Sequence, residues 1–210
     1  MPNSIESLQW RYATKRYDVT KKLTSDQVAL IKNALRLSPS SFGLQPWKFI
    51  HVTDPAIREA LSGAGWGQPQ ITEASDLFIL ASYNAIDEAY VDRYIESIAK
   101  TRDISPDTLK DFRDMMVGSV KSRSPEELKE WLGRQVYIPL GVALTVAAHN
   151  QIDASPMEGF DVTKFNEILG LDKLGLTART IFAVGFRSPE DAEQFAKKSR
   201  FSEEEVFIER

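Results

Sequence analysis

The sequence contains no cysteine and only two histidines among its 210 residues. Without thiols the chain cannot form disulfides, thiolate zinc sites or iron–sulfur clusters, and it has no cysteine nucleophile. His51 and His149 have no partner at metal-ligand spacing, so we expect structural roles for both and no bound metal. No serine lies in a G-x-S-x-G motif, which argues against a hydrolase of that class.

The phosphate-binding motifs of nucleotide enzymes are also missing. The chain has no Walker motif, and Gly63, Gly65 and Gly67 follow a predicted helix, whereas the dinucleotide-binding glycines follow a strand. Arginine and lysine (26) do not outnumber aspartate and glutamate (30), and the net charge is −4. Because proteins that hold nucleic acid on a basic surface need many uncompensated cations, we expect no nucleic-acid partner.

Long apolar runs are absent as well. No run approaches the ~20 residues that a membrane span requires, and the N-terminus has no cationic region followed by an apolar stretch. We therefore expect a cytoplasmic protein with no membrane partner. The length and the 42% hydrophobic content are typical of one globular domain, residues 1–210.

Caps, prolines and apolar spacing predict an irregular succession of helices and strands. Helices are predicted over residues 25–37, 54–65, 87–102, 105–120, 124–150 and 161–170. Strands are predicted over residues 48–52, 77–83, 180–185 and 204–209. We expect Pro139 to kink the long helix and residues 156–159 to form a loop. Because strands and helices do not alternate strictly, a three-layer α+β fold is favoured over a doubly wound Rossmann fold.

Two groups of cationic residues lie near opposite ends of the chain, RYATK at 11–15 and KSR at 198–200. Taken separately, each is typical of a solvated helix end. If the fold brings them together, they could bind a phosphate and stabilise a second negative charge nearby, as a nucleotide or flavin cofactor requires.

Together with four further segments, these groups resemble the oxygen-insensitive, FMN-dependent nitroreductases. The matching segments are RYATKRYD (11–18), SPSSFGLQPWKF (38–49), QPQITEAS (68–75), RQVYIPLG (134–141), PMEGFD (156–161) and KSRF (198–201). Each is weak alone, but their order and spacing make the combination specific. The resemblance implies a homodimer with a mostly antiparallel central sheet flanked by helices, FMN at the subunit interface, and a C-terminal strand exchanged between subunits.

The same resemblance implies a set of FMN-binding residues. They are Arg11, Tyr12, Ala13, Lys15, Pro39, Ser40, Ser41, Gly43, Gly67, Gln70, Pro156, Met157, Glu158, Gly159, Lys198 and Arg200. Arg11, Lys198 and Arg200 would bind the phosphate, where charge-assisted bonds are strong. Lys15 would lie beside flavin N1 and O2 and stabilise the reduced anion.

Other members of this set would surround the flavin ring. Pro39, Ser40 and Ser41 would come from the other subunit, and residues 156–159 would lie along one face of the ring with a backbone N–H towards N5 and O4. Gln70 would reach the pyrimidine edge.

The implied activity belongs to the cofactor. NAD(P)H would pass a hydride to flavin N5, and nitroaromatics, quinones or a related small acceptor such as a pteridine would then take two electrons. No side chain needs to act as a nucleophile; Glu158 would either orient a water for proton delivery or be an inert part of its loop. The alternative is a flavin carrier or regulatory protein without NAD(P)H turnover. Residues 115–117 could line the substrate pocket, although helix packing is the more typical role.

Several positions depart from the better-known members of the family. Ala13 replaces a serine, so the phosphate should depend more on the arginines. Phe42 and Gly43 replace a threonine–asparagine pair, and Gly67 stands where asparagine is common. Gln70 replaces a lysine found in some members. Because one cation near N1 is then missing, we expect a lower reduction potential than in the lysine-bearing members.

Overall fold

A computed structural model describes residues 3–210. The helices in this range are α1 (Ser4–Trp10), α2 (Ser25–Arg36), α3 (Pro55–Ala64), α4 (Gln70–Glu73), α5 (Glu88–Arg102), α6 (Lys110–Lys121), α7 (Pro125–Gln135), α8 (Tyr137–His149), α9 (Val162–Leu169) and α10 (Glu203–Val206). The strands are β1 (Trp47–Val52), β2 (Asp76–Tyr83), β3 (Asp153–Met157) and β4 (Leu176–Gly185). None of the helices within residues 3–210 is long and apolar enough to cross a membrane.

The four strands form one antiparallel sheet in the order β1-β2-β4-β3. Ile79 of β2 lies opposite Ile50 of β1 on one side and Ile181 of β4 on the other. Met157 of β3 also lies opposite Ile181. The apolar runs predicted as central strands are β2 and β4, which confirms the α+β prediction of a mainly antiparallel sheet flanked by helices.

Helices cover both faces of the sheet. Because successive side chains of a strand point to opposite faces, Leu77 and Ile79 join one hydrophobic cluster, whereas Phe78 and Leu80 join another. Helices α3 and α9 contribute to the first cluster, and α2 and α8 contribute to the second. The result is the three-layer arrangement that the sequence predicts.

The capping signals act as predicted. Thr24 Oγ1 accepts a hydrogen bond from the Gln27 N–H, and Gln27 Oε1 accepts one from the Thr24 N–H. Ser124 and Glu127 form the same reciprocal box at the start of α7. Gly170 ends α9 with a φ of 64°, a left-handed conformation that favours glycine.

The helix predicted over residues 124–150 is two helices, and the break lies at Val136, ahead of Pro139. Proline has no N–H for the carbonyl of the residue four positions earlier, which is Gln135, and its ring crowds that carbonyl. A new helix that begins at Tyr137 places Pro139 in the first turn, where a backbone N–H has no acceptor within the helix. The chain therefore breaks one turn before the proline.

The loop predicted over residues 156–159 is partly wrong, because Pro156 and Met157 belong to strand β3. This strand lies at the edge of the sheet, where a proline with no N–H is tolerated. Met157 is buried in the core, whereas Glu158 is exposed. Only the second half of the segment is a loop.

The strand predicted over residues 204–209 is also wrong. Glu203–Val206 form a single helical turn with three glutamates, and acidic residues are favoured at the N-terminal end of a helix. Within the described chain, the following residues do not pair with any strand. Phe207 and Ile208 are 66% and 81% exposed.

Helices α5 and α6 pack with α7 around a third hydrophobic cluster. Met116 and Val117 are buried in this cluster, while Met115 is 59% exposed. Helix packing is therefore the role of Met116 and Val117.

The histidines make structural contacts. His51 Nε2 lies 2.7 Å from Asp76 Oδ1, and its ring stacks on Phe78. His149 Nδ1 lies 3.4 Å from Ser7 Oγ.

Candidate functional site

A cleft of about 410 Å³ lies between the segment that follows α1 and the segment before the C-terminus. Six residues of the predicted FMN-binding set line it: Arg11, Tyr12, Ala13, Pro156, Lys198 and Arg200. The fold thus brings RYATK and KSR together, although about 190 positions separate them. We call this space the cationic cleft.

Four cations line the cleft, Arg11, Lys197, Lys198 and Arg200, and the exposed Glu193 lines it as well. Arg11, Lys198 and Arg200 take no part in an ion pair within residues 3–210. Burial lowers the pKa of Arg11, and Arg200 lowers it further. Burial also lowers the pKa of Lys198, and both arginines add to the effect. Because like charges in a partly buried site repel each other, this cluster favours an anionic ligand.

A buried donor without a partner supports the same interpretation. Among the described residues, Arg11 Nε is buried and has no hydrogen-bond acceptor. Lys198 differs, because its ammonium donates to the carbonyls of Leu8 and Arg11 at the C-terminal end of α1. Arg11 therefore holds the donor capacity that a phosphate could satisfy.

The RYATK segment is fixed by Asp191, a residue that the sequence pattern did not indicate. Asp191 is 1% exposed, and its Oδ2 accepts hydrogen bonds from the Tyr12 hydroxyl (2.9 Å), the Lys15 N–H (2.8 Å) and the Arg16 N–H (3.2 Å). Its Oδ1 accepts from the Glu193 N–H at 3.1 Å. The sequence of the turn that follows indicates Asp191 as a helix cap. It does not indicate the bonds of Asp191 to residues 12–16.

Glu73, at the end of α4, holds the other side of the same segment. Arg16 donates to the Glu73 carboxylate from Nε at 2.9 Å, and the Tyr17 N–H donates to it at 3.1 Å. Because Gln70 lies one helical turn before Glu73, these bonds bring α4 up to the backbone that follows Lys15. Lys15 and Gln70, the two residues predicted at the pyrimidine edge of the flavin, therefore lie on segments that contact each other.

Gln70 contributes a second unsatisfied polar atom. Its side chain is 4% exposed, and Oε1 has no hydrogen-bond partner in the described part of the chain. A buried amide oxygen without a donor is unfavourable, so an acceptor is available here for a ligand N–H.

The loop at residues 158–159 packs against the segment before α4. Gln68 Nε2 donates to the carbonyls of Gly159 (2.6 Å) and Gly65 (3.0 Å). A Cβ atom added to Gly159 would lie 2.9 Å from the ring of Trp66, so only glycine fits without a shift. Gly67 has a φ of 68°, in the left-handed region. These contacts connect two segments of the predicted ring site.

The Glu158 carboxylate accepts a hydrogen bond from the hydroxyl of Tyr137, the first residue of α8. Burial raises the pKa of Tyr137 to about 12, and the bond to Glu158 contributes to the rise. Tyr137 lies in the RQVYIPLG segment, but nothing in the sequence indicated Glu158 as its partner.

The residues expected from the other subunit lie apart from the cationic cleft. Pro39, Ser40, Ser41 and Gly43 do not line it. The Ser41 N–H donates to Gln135 Oε1 at 2.8 Å, which ties this segment to the end of α7. Within one chain, this part of the predicted FMN-binding set therefore lies outside the cationic cleft.

Two clefts of about 470 and 520 Å³ meet at Lys22, Ser75 and Asp76. Several of their polar groups are bonded within the chain. Ser75 Oγ donates to Asp76 at 2.7 Å, and Arg58 donates to three backbone carbonyls. Although these clefts are larger, the cationic cleft is the better candidate because it is lined by Arg11, whose Nε is a buried donor without an acceptor in the described part of the chain.

Known proteins resemble this chain in sequence and in fold. A sequence profile described as "Nitroreductase family" matches residues 8–186. A protein of Staphylococcus saprophyticus named "Putative NAD(P)H nitroreductase" is 34% identical over 194 residues, which are 89% of each chain. One of Staphylococcus aureus with the same description is 32% identical over 196 residues, or 89% of this chain and 87% of that protein.

Solved structures show the same fold. A Bacillus subtilis protein described as a "putative nitroreductase" superposes with a TM-score of 0.87 at 17% identity and covers 98% of both chains. A protein of Exiguobacterium sibiricum, described as a "putative nitroreductase in complex with FMN", gives 0.83 at 17% identity and covers 100% of this chain and 98% of the other.

Proposed function

This chain belongs to the nitroreductase family, and we propose that it is an FMN-dependent oxidoreductase that uses NAD(P)H to reduce a nitroaromatic, a quinone or a related small acceptor. The observation that carries the proposal is the cationic cleft, where Arg11, Lys198 and Arg200 meet and form no ion pair within residues 3–210. FMN supplies the hydride acceptance and the two-electron chemistry when it is bound.

The residues present fit FMN in two independent places. At the cleft, Arg11 Nε is a buried donor without an acceptor, which suits the phosphate group. At α4, Gln70 Oε1 is a buried acceptor without a donor, which suits an N–H of the flavin ring. Ala13 has no hydroxyl to offer, so the phosphate would depend on the two arginines and on Lys198.

Lys15 is the residue that we propose to tune the cofactor. Its backbone N–H is held by Asp191, and the next two residues are held by Glu73, so its position is set from both sides. A positive charge held there would favour negative charge on the pyrimidine edge of the ring. No side chain of this protein needs to form a covalent bond with the substrate.

We further propose that the protein acts as a homodimer. Pro39, Ser40 and Ser41 would then complete the site of the partner subunit, which agrees with their separation from the cationic cleft in one chain. Phe207 and Ile208 expose apolar surface near the C-terminus, and such surface is typical of an interface. Removing residues 202–210 should weaken the dimer and release FMN together. A truncated chain that stays dimeric and retains FMN would exclude a role for this segment.

Anaerobic reduction tests the function directly. The purified protein should carry FMN, and addition of NADH or NADPH should bleach its visible absorption within the mixing time of a rapid experiment. A nitroaromatic, a quinone or a dihydropteridine should then restore the colour, and comparing the three ranks the acceptors. Bound FMN that neither nicotinamide reduces would instead support a flavin carrier without turnover.

A further inference from the structure

The cationic cleft is assembled from two distant segments whose charges oppose its formation. Arg11 comes from the N-terminal segment, and Lys198 and Arg200 come from the C-terminal segment. The pKa values of Arg11 and Lys198 are lowered, first by burial and then by the neighbouring cations. In the absence of an anionic ligand, another interaction must hold the two segments together.

Asp191 is placed to provide this interaction. It is a buried carboxylate, and each of its two oxygens accepts hydrogen bonds from a different segment. Oδ2 accepts from Tyr12, Lys15 and Arg16 of the N-terminal segment, and Oδ1 accepts from the Glu193 N–H, which begins the turn that leads to Lys198. These bonds outweigh the effect of burial and lower the pKa of Asp191, so the group is ionised at neutral pH.

The other contacts between the two segments are made without a carboxylate. The guanidinium of Arg187 lies over the rings of Trp10 and Tyr12, at 4.4 and 4.7 Å from the ring centroids. The Ser188 N–H donates to the Arg16 carbonyl at 2.9 Å, which is an ordinary backbone bond. Lys198 donates to the carbonyls of Leu8 and Arg11, but it is itself one of the cations that repel each other. The nearby carboxylate of Asp153 is bound to Arg187, with Oδ1 at 2.7 Å from Nε. Asp191 is therefore the buried negative charge that joins the two segments.

We propose that Asp191 is a positioning residue that assembles the cationic cleft before its anionic ligand binds. The identity of that ligand as the phosphate of FMN rests on the proposed function. The ligand then binds a preformed site. If assembly fails, only the assembled fraction of the protein can bind, and the apparent Kd rises in inverse proportion to that fraction.

The proposal is tested with Asp191→Asn and Asp191→Ala, with Glu190→Gln as a matched control. Glu190 is exposed, and its replacement removes the same charge one residue away without removing these hydrogen bonds. Amide hydrogen exchange of the full ligand-free protein reports whether residues 192–200 stay docked. Fluorescence titration with FMN, and with riboflavin as the probe that has no phosphate, reports binding.

We expect faster exchange over residues 192–200 in both Asp191 variants, with unchanged exchange in strands β2 and β4. Their Kd for FMN should rise about 10- to 100-fold, because charge-assisted hydrogen bonds are lost, and the Kd for riboflavin should rise less. Saturating FMN should restore slow exchange. Tyr12→Phe removes one of the four donors and should speed exchange over residues 192–200 by a smaller factor, so its exchange decides the matter if Asp191→Ala does not fold.

Asp191 variants with wild-type exchange and a Kd for FMN within about twofold of wild type would overturn the proposal. Faster exchange throughout the sheet would also overturn it, because the role would then be general stability. If the wild-type protein binds no FMN, the proposed function fails, and exchange in the ligand-free variants still decides the role of Asp191.

Discussion

Replacing Arg11 by glutamine separates ligand binding from stability. The guanidinium lies partly buried beside Lys198 and Arg200, and its Nε has no partner within residues 3–210. Burial and the charge of Arg200 both lower its pKa, which means that the charged form is unfavourable in the ligand-free fold. We therefore expect Arg11→Gln to leave the ligand-free protein at least as stable as wild type while it weakens FMN binding.

The size of the loss follows from the bonds that the structure makes available. A hydrogen bond to a charged group contributes about 1.5–3 kcal/mol, which corresponds to a rise in Kd of about 10- to 150-fold. At an FMN concentration 100 times the wild-type Kd, binding adds about 2.7 kcal/mol to the free energy of unfolding of wild type. The same concentration adds only about 0.4 kcal/mol to a variant that binds 100-fold more weakly.

Two titrations and one unfolding experiment measure these effects. FMN and riboflavin are titrated against wild type and Arg11→Gln by flavin fluorescence, and urea unfolding is followed with and without FMN. The weaker binding should be confined to FMN, because riboflavin has no phosphate. Arg102→Gln, an exposed arginine at the end of α5, is the control for the loss of one positive charge. The reasoning is refuted if riboflavin binding weakens as much as FMN binding, or if ligand-free Arg11→Gln is clearly less stable than wild type.

Three further predictions follow from individual positions. Gln70→Lys adds a cation at the proposed ring site and should raise the midpoint potential of bound FMN, by about 30 mV for each 1.4 kcal/mol by which the reduced anion is stabilised. An unchanged or lower potential in spectroelectrochemistry contradicts this. Because the pKa of Lys198 is lowered in the fold, its charge destabilises the ligand-free protein, and this cost disappears as the pH rises towards the ordinary lysine pKa of about 10.4. The free energy of unfolding of wild type should therefore rise with pH, relative to Lys198→Gln, over that alkaline range; parallel pH profiles from urea unfolding argue against it. Gln151 is exposed and has a φ of 53°, in the left-handed region. Gln151→Gly should therefore stabilise the protein by roughly 0.5–1 kcal/mol, and Gln151→Val should destabilise it. Equal urea midpoints for the two variants would show that this backbone strain is negligible.

Elements with local causes could be read from the sequence. The capping box of Thr24 and Gln27 depends on residues three positions apart, and the core strand β2 is marked by a nearly continuous apolar run. The sequence predicted one long helix kinked by Pro139, whereas the structure has two helices, because the proline acts on the turn that precedes it. Pro156 was assigned to a loop because the order of strands, which makes β3 an edge, is not a local property.

The same division applies to the candidate site. Residue type and motif order identified the cations and the family, because charge and spacing are present in the chain itself. The residues that hold the segment carrying Arg11 and Lys15 were not identifiable from the sequence. The Tyr12–Asp191 bond joins residues 179 positions apart, and the Tyr17–Glu73 bond joins residues 56 positions apart. Tyr137 and Glu158 likewise meet only because α8 and β3 pack side by side.

The sequence by itself determined which groups are available: two cationic segments, no thiol chemistry, and the apolar strands and helices of a three-layer fold. These follow from composition and from interactions within a few residues. Only the tertiary structure decided that Arg11, Lys198 and Arg200 share one cleft and that the buried Asp191 and the half-buried Glu73 hold the segment between them. The physical reason is that like charges assemble only where packing and hydrogen bonds from distant parts of the chain offset their repulsion.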